Sequence, residues 1–231
     1  MDIFKKHEIF EIEVLEKLKN AKLLEPLVFG GGSMLRLCHE LDRYSADLDF
    51  WFTRKVDLKT YFLSLRTFLG EKYEITDAEV KYYTIICEIR SNNYPKRLKI
   101  EIRKIVKKCD FQERIAFSQY STKQVILKVH TLEQTMQNKV EAAIERGEIR
   151  DCFDLEFLLR QGIQLVGTSN KLNTLKNVIS KFTDKDYKVT LGSTLESETR
   201  KYYVKNNFSL LLSHINRQCQ PQGGKTDPFS K

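Results

Sequence analysis

Residues 29–52 read FGGGSMLRLCHELDRYSADLDFWF, and this stretch decides the fold. Gly30, Gly31, Gly32 and Ser33 open it, and two aspartates one residue apart, Asp47 and Asp49, lie near its end. The apolar run Leu27-Val28-Phe29 has the length of a short buried strand. After Ser33, Met34, Leu35, Leu37, Cys38 and Leu41 recur at helical spacing. A strand that stops at glycines and restarts as a helix leaves free N–H groups at the helix N-terminus. The helix dipole favours an anion there, and glycine lets a ligand approach the backbone closely. Ser33 can cap that helix and offer its hydroxyl to a phosphate.

In Asp47-Leu48-Asp49-Phe50-Trp51-Phe52, strand alternation places both aspartates on one face. Neighbouring carboxylates in an apolar strand repel each other and are costly without a cation between them. Hard oxygen donors of this kind suit Mg²⁺, which takes one or two carboxylates together with substrate phosphates. A phosphate cradle and a metal site joined by one helix point to phosphoryl transfer.

The rest of the composition is compatible with that chemistry. The chain has 231 residues, enough for one large domain or two small ones. Its net charge of +8 and pI near 9.1 favour an anionic partner such as nucleic acid or nucleotide. The five cysteines, at 38, 87, 109, 152 and 219, are scattered and odd in number. They fit neither a disulfide framework nor a zinc cluster, and they predict a reducing cytoplasm. The start MDIFKKHEIFEIEVLEKLK lacks a signal peptide's apolar core, and no run approaches the ~20 apolar residues of a membrane span. The expectation is a soluble cytoplasmic protein with no membrane partner. No Gly-x-Ser-x-Gly elbow surrounds Ser33, no Gly-Lys-Ser/Thr follows the glycines, and the four histidines form no ligand pattern.

Periodicity predicts a first helix over 8–23, with Ile9, Phe10, Ile12, Val14, Leu15, Leu18 and Leu23 on one broad face. A second helix is expected over 58–68, stopped by Gly70. Residues 80–90 and 98–106 read as hairpin strands joined by Ser91-Asn92-Asn93-Tyr94-Pro95. Leu98, Ile100 and Ile102 take one face of the second strand, and Lys99, Glu101 and Arg103 the other. Residues 109–122 give no clear pattern, and 124–130 form a short alternating strand. At Thr131, a good N-cap with Gln134 placed for a capping box, the chain becomes helical. Leu132, Met136, Val140 and Ala143 form the stripe of that helix, with Lys139 and Arg146 beside it. Further helices are expected from about Arg150, over 170–182 and over 196–215, completing a small bundle. The tail 218–231 has little to bury and reads as disordered.

Gly31-Gly32-Ser33 followed by Arg43-Tyr44-Ser45-Ala46-Asp47-Leu48-Asp49 resembles the first motif of the AbiEii/AbiGii toxin family of nucleotidyltransferases, part of the polymerase-beta-like superfamily. The segment Asn-Lys-Val-Glu-Ala-Ala-Ile-Glu-Arg ending at Arg146, then Arg150-Asp151-x-x-Asp154-Leu155, resembles the third and fourth motifs in the expected order. The resemblance spans most of residues 25–160. It implies that Gly31, Gly32, Ser33, Arg43 and Ser45 surround a metal-bound NTP, with Gly32 and Ser33 on its β- and γ-phosphates. It implies Asp47 and Asp49 as metal ligands, with Glu101 as the third carboxylate and general base, although many relatives carry Asp there. Lys139 would contact the triphosphate, oriented by Asp151 and supported by Asp154.

The expected fold is therefore α+β: a nucleotidyltransferase domain over 1–130 with a small mixed sheet and flanking helices, then a helical bundle over 131–217, with the active site in the cleft between them. The expected activity is Mg²⁺-dependent transfer of a nucleoside monophosphate, Mn²⁺ being an alternative metal. As implied by the family, the acceptor is RNA, a tRNA 3′ end first, and the partner a cognate antitoxin. A nucleotide-binding protein without turnover and an antibiotic-type nucleotidyltransferase remain alternatives. The basic charge argues against the latter, whose aminoglycoside substrates are cations.

Overall fold

The computed structural model describes residues 3–219. The chain divides into two compact units, the first Met1–Thr135 with Thr194–Glu196, the second Met136–Ser193 with the chain from Ser197 onward. The expected α+β architecture is present, with more strands than the sequence pattern shows.

In the first unit, α1 (Ile3–Asn20), β1 (Leu27–Gly30), α2 (Gly31–His39), β2 (Asp47–Phe52) and α3 (Leu58–Gly70) are followed by five strands. These are β3 (Glu74–Val80), β4 (Thr84–Arg90), β5 (Leu98–Arg103), β6 (Phe111–Phe117) and β7 (Gln124–His130). All seven strands form one sheet in the order β3-β4-β5-β2-β1-β7-β6. The β1–β7 and β2–β5 pairs are parallel and the others antiparallel. One face is apolar: Phe29, Leu48, Phe50, Phe52, Ile85, Cys87, Ile89, Leu98, Ile100 and Ile102 are all buried. Alternation sends Asp47, Asp49 and Glu101 to the opposite face.

Several boundaries differ from those expected. The first helix starts at Ile3 and ends at Asn20, and Leu24 rather than Leu23 is buried. The expected strand over 80–90 is β4 alone, Val80 being the last residue of β3. Residues 111–117, which gave no pattern, form β6.

The second unit is helical. α4 (Leu132–Arg146) crosses the division after Thr135 and is followed by α5 (Ile149–Arg160) and α6 (Ser169–Ile179). A π-helical turn, Asp186–Leu191, and a 3₁₀ turn, Gly192–Thr194, precede α7 (Ser197–Asn206) and α8 (Ser209–Cys219). Thr131 caps α4, its Oγ1 accepting from the Gln134 N–H at 3.1 Å. α5 is buried along nearly its whole length, and its Phe153 packs on Tyr203, 4.8 Å between centroids. The single helix expected over 196–215 is two, because Asn207 adopts a left-handed φ of 50° and ends α7. Of the tail expected to be disordered, 218 and 219 lie in α8, and the remainder is outside the described residues. Among the described residues no helix is long and apolar enough to cross a membrane.

Candidate active site

The acidic site is built by strand register. β2 runs parallel to β5 with Asp47 opposite Lys99 and Asp49 opposite Glu101. The three predicted carboxylates therefore share one face of two adjacent strands. Their charges draw cations onto that face. Lys99 Nζ lies 3.0 Å from Asp47 Oδ2 and 3.5 Å from Glu101 Oε2, while Arg103 Nη2 lies 3.3 Å from Glu101 Oε1. Partial burial works against the Lys99 charge, but the Asp47 hydrogen bond and the charges of Asp47, Glu101 and Asp49 outweigh it and raise the ammonium pKa.

The glycines come up against the same strand. Gly30 pairs with Asp49 across the antiparallel β1–β2 ladder. Gly31 begins α2 with φ +72°, and a Cβ there would collide with the Asp49 carboxylate. A Cβ on Gly32 would lie 2.6 Å from Arg43 Nη2 and 2.7 Å from Ser45 Oγ. The predicted Gly31, Gly32, Arg43, Ser45 and Asp49 thus form one contact set around the N-terminus of α2. Arg43 is buried, donates from Nη1 to the Tyr44 carbonyl at 3.1 Å, and bridges to Leu195.

Ser33 is the exception. The N-cap of α2 is Gly30, with no side-chain capping bond, and Ser33 is fully buried. Its Oγ lies 2.6 Å from the Asp47 carbonyl and 2.9 Å from Glu11 Oε1. A hydroxyl has one proton, and the carbonyl can only accept it, so Glu11 must be the protonated partner at Ser33. Burial pushes the Glu11 carboxyl well above its ordinary value, and its buried Oε2 has no partner, both of which fit a neutral acid. Ser33 therefore ties α2 and α1 to the β2 backbone, instead of offering its hydroxyl outward as expected. His7 Nε2, 2.9 Å from the Ala46 carbonyl, anchors the preceding residue in the same way.

The second unit gathers the remaining predicted residues. Lys139 Nζ lies 2.9 Å from Asp151 Oδ1 and 2.6 Å from Asp154 Oδ2, all three side chains nearly buried. Arg146 grips Asp151 with two bonds, Nε to Oδ2 at 2.7 Å and Nη2 to Oδ1 at 2.8 Å. Burial alone would raise the Asp151 pKa, but the Lys139 charge and the Arg146 bonds hold it at about 2. A cavity of about 700 Å³ in this unit is lined by Arg146, Arg150, Lys181 and Phe182 among others, and by none of the predicted site residues.

Sequence reasoning missed Lys99, Arg146 as a partner of Asp151, and the Glu11–Ser33 pair. Lys99 was readable from its alternation with Glu101. Glu11 carries a charge on a helix face otherwise read as apolar, which was its one signal.

Asp47, Asp49 and Glu101 supply only hard oxygens, next to a helix N-terminus. That donor set fits a divalent cation which completes its shell with substrate phosphates and water. Among the described residues no three or more His, Cys, Asp or Glu side chains converge into a ready-made metal cluster. Lys99 and Arg103 supply counter-charge to Asp47 and Glu101.

A mixed sheet carries an acidic pair and a third carboxylate beside a glycine-started helix, an arrangement suited to phosphoryl transfer. A candidate nucleotidyltransferase from H. pylori aligns with TM-score 0.53 at 18% identity, over 90% of this chain and 97% of its own. The protein JHP933 from Helicobacter pylori aligns with TM-score 0.50 at 18% identity, over 88% and 94%. At that identity the likeness is one of fold. The model of the nucleotidyl transferase AbiEii toxin family, type IV toxin–antitoxin (TA) systems, matches residues 13–209, and the chain belongs to this family. A comparison with curated proteins finds no match. Family membership makes the protein a nucleotidyltransferase and implies a cognate antitoxin.

Proposed function

We propose that this enzyme transfers a nucleoside monophosphate from an NTP to a hydroxyl of RNA, with a tRNA 3′ end as the leading acceptor, and acts in the cytoplasm as the toxin of a toxin–antitoxin pair. The observation that carries the chemistry is the register of Asp49 against Glu101, beside the Gly31 start of α2. Mg²⁺, or Mn²⁺ in its place, would be held by Asp47, Asp49 and Glu101, neutralising phosphate charge and aligning the reacting oxygen. The α2 N-terminal N–H groups at Gly31 and Gly32 receive triphosphate oxygens, with the Arg43 guanidinium against Gly32 adding positive charge. Glu101 takes the proton of the acceptor hydroxyl as its oxygen bonds to the α-phosphorus. The bond from that phosphorus to the bridging oxygen breaks, and pyrophosphate leaves. Lys139 is the cation that neutralises the triphosphate, fixed by Asp151 and Asp154. The net charge of +8 favours a polyanionic acceptor.

The test supplies each α-labelled NTP in turn with Mg²⁺, total cellular RNA, and wild type beside Asp47→Ala/Asp49→Ala. Label in a tRNA-sized band with wild type alone is the expected outcome and names the nucleotide. Absence of label from RNA, protein and an added aminoglycoside would overturn the reading. Label in the aminoglycoside only would replace the RNA acceptor by a small molecule.

A further inference from the structure

The turn between β3 and β4 presents two tyrosines to solvent. Tyr82 is 82% and Tyr83 59% exposed, and their rings meet edge to face with centroids 4.5 Å apart. Large aromatic rings this exposed bury little apolar area in the folded chain, so they do little for its stability. The turn is tied to the segment that leaves β5. Lys104 N–H donates to the Tyr83 carbonyl at 2.9 Å, and Lys104 Nζ donates to the Lys81 carbonyl at 2.7 Å.

That segment is basic and exposed. Between them the two pieces carry Lys81, Arg103, Lys104, Lys107 and Lys108, against Glu79 and Asp110. Glu79 lies 3.8 Å from Lys81, whereas neither Lys107 nor Lys108 has an acidic partner among the described residues. Ile105 and Val106, 52% and 39% exposed, add apolar surface between the lysines. Exposed rings beside a basic segment, in which Lys107 and Lys108 are unpaired while Lys81 and Arg103 face Glu79 and Glu101, are the two features that hold single-stranded nucleic acid without regard to sequence: bases stack on the rings, and phosphates meet the cations.

The position completes the case. Thr84, next to Tyr83, pairs with Arg103, and Arg103 is two residues beyond Glu101 on the same strand face. At about 3.3 Å of rise per residue, the patch begins roughly 7 Å from the third carboxylate, about one nucleotide's length away.

We propose that Tyr82, Tyr83 and the segment Arg103–Lys108 form the platform on which a single-stranded RNA end docks and is led to Glu101. This rests on the RNA-acceptor reading above. A protein surface would not require both the exposed tyrosine pair and the unpaired lysines, so RNA is the occupant these observations favour.

The test measures anisotropy of a fluorescein-labelled single-stranded RNA of about 12 nucleotides, and of its duplex, with the full chain. Tyr82→Ala and Tyr83→Ala should each weaken single-strand binding about tenfold, whereas Tyr→Phe at either site should not. Lys107→Ala/Lys108→Ala should flatten the slope of log affinity against log salt by roughly 1.4. Melting temperature and NTP binding should stay at wild-type values in all of these variants, and the duplex should bind more weakly than the single strand. Wild type that binds RNA while the tyrosine and lysine variants bind it equally well would overturn the platform and leave the RNA reading standing, the patch then serving a protein. Wild type that binds no RNA would overturn both.

Discussion

Gly31 shows how little room the site leaves at the scale of one residue. Its φ of +72° costs a residue with a side chain roughly 1–2 kcal/mol on backbone grounds alone. The added methyl would also collide with the Asp49 carboxylate, which must then leave its place opposite Glu101. Gly32 has ordinary backbone, and the atoms a methyl would meet there, Arg43 Nη2 and Ser45 Oγ, end side chains that can turn aside. Gly31→Ala should therefore lower transfer about a hundredfold, the scale expected for displacing a reacting group by about 1 Å. Gly32→Ala should lower it less, with a larger effect on the KM for NTP than on kcat. Steady-state kinetics of the two variants side by side checks this ordering, and equal losses would contradict it.

Between elements, a four-residue electrostatic tie in the second unit joins α4 to α5 through Lys139, Arg146, Asp151 and Asp154. Asp151 falls from its ordinary 3.8 to about 2 in the folded protein. A carboxylate with a depressed pKa contributes stability that is complete above its unfolded value and is lost as pH falls through its folded one. The contribution, on the order of 2 kcal/mol, should disappear between about pH 4 and pH 2. Helical circular dichroism melts across that range should show it. Asp151→Asn should lack the acid-side step and lose about 2 kcal/mol at neutral pH, because the charge attraction of Arg146 and Lys139 for residue 151 is gone while Lys139 keeps Asp154. The same scale explains which elements were legible. β2 and β5 lie centrally, so one face of each is apolar, and their alternation could be read directly. β3 and β6 are the two ends of the sheet, exposed or half-exposed along nearly their whole length, so burial imposed no pattern on Glu74–Val80 or Phe111–Phe117. Ser33 was misread for a different reason. Its spacing suits a cap, and the Asp47 carbonyl and Glu11, 14 residues later and 22 earlier in the chain, turn its hydroxyl inward.

Across the whole molecule, the chain returns to the first unit with three residues, Thr194–Glu196, after most of the helical unit has been formed. Leu195 bridges antiparallel to Arg43, Tyr44 N–H donates to the Thr194 carbonyl at 2.9 Å, and Tyr44 Oη donates to Glu196 Oε1 at 2.8 Å. The loop so held is the one that delivers Arg43 and Ser45 to Gly32 and leads into Asp47. A tie between residues 152 positions apart leaves no periodic trace, which is why motif spacing located Arg43 and Ser45 but not what fixes them. Leu195→Pro stiffens the backbone at the bridge and restricts Thr194 before it, whose carbonyl accepts from Tyr44 N–H. Amide exchange over residues 43–46 should quicken in this variant, while α5, whose hydrogen bonds are internal to its own helix, should keep its protection. Transfer should fall about tenfold, because Arg43 and Ser45 lose the backbone that holds them against α2. If exchange over 43–46 were unchanged while activity fell, the loop would not depend on the returning strand, and the loss would have to arise within the helical unit.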